Sequence, residues 1–260
     1  FVSALLGSQI GLLIDAGTFA ASALLLTTVR INPVDVALNT ADRAKTGKTA
    51  GFIDGIRYAR QQPGLLPALL VKAGGSIGNI DVPIIIYATL FFAIGQDASA
   101  SLGILWSAFG LGAVLGPVLI NRLNDGRVRR MRGLIFAGDA LITVGWLALA
   151  GAPGLVLAML AIMVRAMGGS INWTYSSVII QKTVADEYLG RMFSLDQAGF
   201  QAMSVISIIA TGVALQIFGD SAVREVVAFT GVISILPLMG WGLTVRWLRI
   251  RPEIMEPEHA

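Results

Sequence analysis

Apolar residues in this chain run in long stretches, most of them near the ~20 residues a helix needs to cross a hydrocarbon core, and charge gathers in the short segments between. Seven stretches are predicted as helices, at about 5–29, 67–92, 99–120, 133–150, 155–180, 193–218 and 223–247. A barrel strand would alternate apolar and polar residues over about ten positions instead. In lipid, backbone N–H and C=O groups must be satisfied within the element, and continuous apolar stretches of this length do that as helices. The expected fold class is all-α, a polytopic membrane protein.

The connection over 31–66 is the longest polar one, and it sets one helix apart from six. Within it Phe52, Ile53, Ile56 and Tyr58 lie among Asp54, Arg57 and Arg60, the pattern of a short amphipathic helix resting on a membrane face. A partly ordered linker is the other reading. The chain thus divides into a helix at 1–30, a linker at 31–66, a six-helix block at 67–250 and a tail at 251–260.

Charge gives these helices a direction. Sixteen of the 19 basic residues fall in alternate connections, chiefly Arg30 to Arg60 and Arg122 to Arg132, then Lys182 and Arg191, and Arg246 to Arg251. The opposite connections hold only Arg224, and Lys72 and Arg165 lie inside spans. The positive-inside rule then places the start of the chain outside and its C-terminus in the cytoplasm. Composition agrees: 55% hydrophobic, 13% charged and a mean hydropathy of +0.75, far from the roughly quarter-charged soluble average. A pI near 9.5 raises nucleic acid as a partner, but the basic residues are dispersed between apolar spans, so no nucleic acid is expected. The lipid bilayer is the expected partner. Without cysteine, and with His259 the single histidine, disulfides, Cys-based metal sites and a Ser-His-Asp triad are excluded. No enzyme activity and no cofactor is expected. The first stretch has no basic segment before it and no small-residue cleavage context, so the expectation is a piece of a longer protein.

Four segments carry a resemblance. They are Gly11-Leu12-Leu13-Ile14-Asp15-Ala16-Gly17-Thr18-Phe19, Gly51-Phe52-Ile53-Asp54-Gly55-Ile56-Arg57-Tyr58, Leu111-Gly112-Ala113-Val114-Leu115-Gly116-Pro117 leading into the Arg122 to Arg132 cluster, and Gln181 followed by Asp186-Glu187 and Gly190-Arg191-Met192-Phe193-Ser194. Together with the one-plus-six helix arrangement they resemble the major facilitator superfamily, in the branch of siderophore exporters and macrolide-type drug efflux proteins. The resemblance implies that the first helix corresponds to that fold's sixth, that the remaining six form its C-terminal half, and that the first five helices of the N-terminal half are missing. It also implies transport of a small amphipathic molecule by alternating access, with proton antiport as the coupling to be tested, in a bacterial cytoplasmic membrane. Arg122 and Arg191 become loop or gating candidates on this basis. Asn121 departs from the family's basic loop motif, which has an acidic residue there.

A charge inside a span costs about 2.5 to 3.5 kcal/mol on insertion scales and is a functional hypothesis by default. Asp15, Asp81, Asp139 and Arg165 qualify, whereas Lys72 stands near enough to a span end to snorkel. Asp81 and Arg165 each lie about eleven residues from the outer end of antiparallel helices, roughly 16 Å deep, so they share a depth. They are expected to face each other or the substrate, on helices that the resemblance places around a central cavity; an ion pair that locks two helices is the alternative. Asp139 is expected to be held in a structural pair. Arg165, Gly169, Asn172 and Ser176 share one helix face, and Gln197, Gln201, Ser204 and Thr211 form a similar stripe on the next helix. Either stripe can line a wet cavity or bond helices together. Trp173 and Tyr175 are candidates for stacking on a planar substrate or for anchoring at the interface. The span at 67–92 is the least ideal helix, with Gly74, Gly75, Ser76, Gly78, Asn79, Asp81 and Pro83, and a break there would free carbonyls towards a cavity. Close packing through Gly74 and Gly78, repeated at Gly112 and Gly116, is the competing reading.

Three motif matches are coincidences. Gly74-Gly75-Ser76-Ile77-Gly78 fits a hydrolase elbow without the histidine, Gly47-Lys48-Thr49 lacks the earlier glycine of a phosphate loop, and Asn172-Trp173-Thr174 is a sequon inside a span. Rival functions are a seven-helix receptor and a remnant that works only with a separate partner half. A retinal pump is excluded, because 223–247 contains no lysine.

Overall fold

The computed structural model of the chain describes residues 8–28, 52–62 and 64–250. Among these the protein is entirely helical. The elements are α1 (Ser8–Thr28), α2 (Phe52–Gln61), α3 (Leu65–Gly75), α4 (Asp81–Ile86), α5 (Ser99–Ile120), α6 (Val128–Ala150), α7 (Leu155–Thr183), α8 (Asp186–Phe218), α9 (Val223–Ile233) and α10 (Ile235–Ile250). Among the described residues six spans are long and apolar enough to cross a membrane: Gln9–Thr28, Ser99–Leu123, Val128–Ala150, Leu155–Thr183, Asp186–Phe218 and Asp220–Leu248. Most of the 31–66 linker, all of the 251–260 tail, Gly47-Lys48-Thr49 and His259 lie outside the described residues.

The span expected at 67–92 exists as two short helices. α3 ends at Gly75, the chain turns through Ser76–Ile80, and α4 continues into a π-helical turn at Tyr87–Phe91. Gly78 sits at φ +68°, a left-handed conformation that only glycine adopts freely, and a Cβ there would collide with Thr230. Pro83 falls in the first turn of α4, where its missing N–H costs no helical bond. The last span bends in a related way at Ser234, with Pro237 in the first turn of α10. The Ser234 hydroxyl donates to the Gly231 carbonyl at 2.7 Å and lies 3.0 Å from the Thr143 hydroxyl of α6. At the end of α8, Gly219 (φ +84°) caps the helix by donating its N–H to the Leu215 carbonyl at 2.8 Å.

α7 is the central element and packs most extensively on α6 and α5. Small residues make this possible. A Cβ on Gly112 or Gly116 of α5 would strike the α7 backbone at Met163 or Met167, and one on Gly145 of α6 would strike it at Arg165. Gly138 of α6 and Gly168 of α7 meet backbone to backbone. Without a hydrophobic drive between helices in lipid, such close approach is what holds a bundle together. The expected role of the Gly112 and Gly116 pair is therefore seen. Gly74 and Gly78 do not form a comparable helix-face pair, because Gly78 lies beyond the end of α3; they abut Pro237 and Thr230 of the last span instead.

Around this frame Leu111, Val114 and Val118 of α5, Ile206, Ile209 and Val213 of α8, and Leu236, Met239 and Leu243 of α10 are exposed, forming an apolar exterior suited to lipid. α1 is exposed at nearly every described position, with none of it buried among the described residues. α2 is helical as expected, and part of its surface packs on protein. Gly55 and Ala59 are buried against Met192 and its neighbours, and Tyr58 stacks on Tyr188 with ring centroids 4.0 Å apart.

Candidate functional site

Two cavities among the described residues bear on function; a third, of about 580 Å³ along α8, is lined by apolar residues such as Ile209, Val213 and Ile217. The larger, about 850 Å³, lies between α8 and α9 and is lined almost wholly by apolar groups such as Met203, Ile206, Phe218 and Phe229. The smaller, about 360 Å³, holds the charges. Chemistry favours the smaller one, since the buried cations Lys72 and Arg165 line it, whereas the buried polar groups of the larger, Ser207, Thr211 and Thr230, are uncharged.

Its walls come from the α3–α4 break, α5, α7 and α8. The break contributes Asn79 and Asp81, and the Asn79 side-chain oxygen accepts the Asp81 N–H at 2.9 Å, closing the turn that starts α4. The Gly78 N–H donates to the Ser207 hydroxyl at 3.2 Å, so α8 satisfies one backbone group freed by the break. α7 contributes Arg165, Gly169 and Asn172, which stand on one face as their spacing requires. Gly169 is the midpoint of α7, which puts Arg165 and Asn172 about 6 and 5 Å to either side of it at ~1.5 Å per residue.

Four of the five site residues predicted from sequence thus meet in one cavity: Asn79, Asp81, Arg165 and Asn172. Asp81 is close enough for its charge to act on Arg165, yet among the described residues the two form no ion pair. Arg165 is 8% exposed, stacks over the Trp146 ring at 5.1 Å, and donates one long bond from Nη2 to the Gly75 carbonyl at 3.4 Å. Its Nε is buried without a partner among the described residues. Asn172 donates to Asp139 Oδ1 at 2.7 Å, which supplies the structural pair expected for Asp139. Gln201 is exposed on α8 and is not part of the lining. Arg122 is exposed in the turn Asn121–Leu123, and Arg191 lies 5.2 Å from the centre of the Tyr188 ring, both far along the chain from the cavity residues.

Lys72 corrects its sequence reading. It does not snorkel: its side chain is 4% exposed and its ammonium donates to Asp196 at 2.5 Å and to the Ser177 hydroxyl at 2.9 Å, with the Trp173 ring 4.3 Å away. Asp196, 1% exposed, is the residue that sequence reasoning missed. A signal existed. Lys72 and Asp196 stand a few residues inside the starts of two spans that enter from the same side, the equal-depth test that linked Asp81 with Arg165.

The stripe expected on α8 is also rotated. Gln197 and Gln201 face outward, while Asp196, Ser204, Ser207 and Thr211 are buried. The Lys72–Asp196 pair and the Ser207 bond to the break fix this rotation. Of the two aromatic candidates, Trp173 borders the cavity, meeting Phe200 edge to face at 5.1 Å. Tyr175 points elsewhere and donates to the Asn121 side chain at 3.4 Å.

The helices and this cavity define the class to which the protein conforms: an all-α chain compatible with a multi-pass membrane protein, with a charged cavity between its spans. Comparison with family models, curated proteins and solved structures gives no match.

Proposed function

We propose that the chain is part of a secondary active transporter that exports a small amphipathic molecule by alternating access, with the resemblance to major facilitator exporters as the guide to its class. The observation that carries this reading is the cavity at the midpoint of α7, where a broken helix meets Asp81, Arg165 and Lys72, the last of them paired with Asp196. Charges in a membrane interior are costly and persist where they serve transport, and interrupted helices near the midplane are a common setting for transporter sites. The exposed length of α1 supports further helices covering it, in the same protein or in a partner half.

In cells expressing the chain within its complete coding sequence, Asp81→Asn is expected to abolish or uncouple efflux of amphipathic fluorescent dyes at equal membrane abundance. Unchanged efflux removes the transport role. The proposed direction places the Asn121–Leu123 turn in the bacterial cytoplasm and the Asp220–Ala222 turn outside. Because the chain has no cysteine, single cysteines at Asn124 and Ser221 report this directly. An impermeant thiol reagent should label Ser221→Cys in intact cells and Asn124→Cys only after lysis, and the reverse pattern overturns the orientation.

A further inference from the structure

The two buried cations of the cavity are in opposite states. Lys72 is satisfied by a carboxylate, a hydroxyl and an aromatic face. Arg165 has five donors and uses one, in a long bond to a carbonyl, with Nε sealed from solvent and unpartnered among the described residues. A guanidinium buried with its fork unfilled bears a desolvation cost that a planar, two-oxygen acceptor relieves best, because both N–H edges then bond in parallel. Asp81 does not fill that place, although it shares the cavity.

The remaining walls say what the acceptor is attached to. Trp173, Phe200 and Phe109 form an aromatic side, and Ser170 and Ser204 offer hydroxyls. At about 360 Å³ the space falls near the lower end of small-molecule sites.

We infer that the cavity binds a small aromatic carboxylate, its anionic group seated on the Arg165 guanidinium and its ring against Trp173 and Phe200. This rests on the transporter reading and names the substrate class for that same site. Asp81 is then the competing negative charge: it repels the ligand carboxylate and does not help to bind it.

The test is calorimetry on the purified chain in lipid nanodiscs, corrected with empty nanodiscs, using 2-naphthoate, 2-naphthylmethylamine and 2-naphthalenemethanol as probes of one shape and three charges. The acid should bind saturably and at least tenfold more tightly than the amine or the alcohol. Arg165→Gln should erase that preference, Arg165→Lys should keep part of it, and Asp81→Asn should tighten the acid several-fold. Equal binding of amine and acid, an acid preference that survives Arg165→Gln, or weaker acid binding in Asp81→Asn overturns the inference. Should Arg165→Gln fail to elute as a single species, the three-probe comparison on the unaltered chain and the Asp81→Asn titration decide it. The two readings fail separately: binding of the acid without any uptake into proteoliposomes that hold the product of the complete coding sequence ends the transport reading alone, and efflux of cationic dyes by that product with no acid binding ends the anion site alone.

Discussion

Asp196→Asn removes one partner of the most deeply buried ion pair and leaves the Lys72 ammonium in place. The side chains of the pair are 4% and 1% exposed, so the stranded charge has almost no access to water. Breaking such a pair from one side costs about 3–5 kcal/mol, mostly the penalty of an uncompensated buried charge. Ser177 at 2.9 Å and the Trp173 face at 4.3 Å remain, and a cation over an aromatic ring is worth ~0.5–2 kcal/mol, which places the expected loss near the lower figure. Replacing both partners with apolar residues of similar size, Lys72→Met with Asp196→Leu, should restore most of the stability, since desolvation and attraction are then removed together. The assay is equilibrium unfolding in mixed micelles, followed by far-ultraviolet circular dichroism, for the single and double variants. A double-mutant cycle should show coupling of at least about 2 kcal/mol between the two positions. If Asp196→Asn unfolds within about 1 kcal/mol of the unaltered chain, or if the single changes simply add, the pair is neither buried nor coupled as described.

Three further outcomes follow from the packing. Gly112→Ala, whose methyl group would run into the Met163 carbonyl, should destabilise the bundle by about 1–3 kcal/mol, whereas Gly110→Ala, which meets only open space on the same helix, should not; the same unfolding assay compares them. Asn172→Leu leaves Asp139 buried without its donor and should cost at least about 1–3 kcal/mol, which Asp139→Leu in the same chain should largely recover. Tyr58→Ala removes the stacked contact with Tyr188, worth roughly 0.5–1.5 kcal/mol, and should speed tryptic cleavage at Arg57 and Arg60; an unchanged cleavage rate would show that α2 is not held by that contact.

The apolar pattern by itself determined the fold class, because only a helix satisfies its own backbone over twenty apolar residues, and that requirement is local. The same holds for the break after Gly75, legible from glycine, serine, asparagine and proline crowded into one span, and for the shared face of Arg165, Gly169 and Asn172, which follows from helical spacing. Which residues meet across helices depends on how each helix turns about its axis, and periodicity does not set that angle. For α8 it is set by Asp196 reaching Lys72 and by Ser207 capping the broken strand of backbone, and so Gln201 is exposed where the stripe had placed it inward. For α2 the amphipathic pattern was readable, but the contacts of Tyr58 and Gly55 with Tyr188 and Met192 were set only by the tertiary structure. The sequence determined which apolar spans carry charge; the packing decided that Lys72 is paired and that Arg165 is left with donors to give.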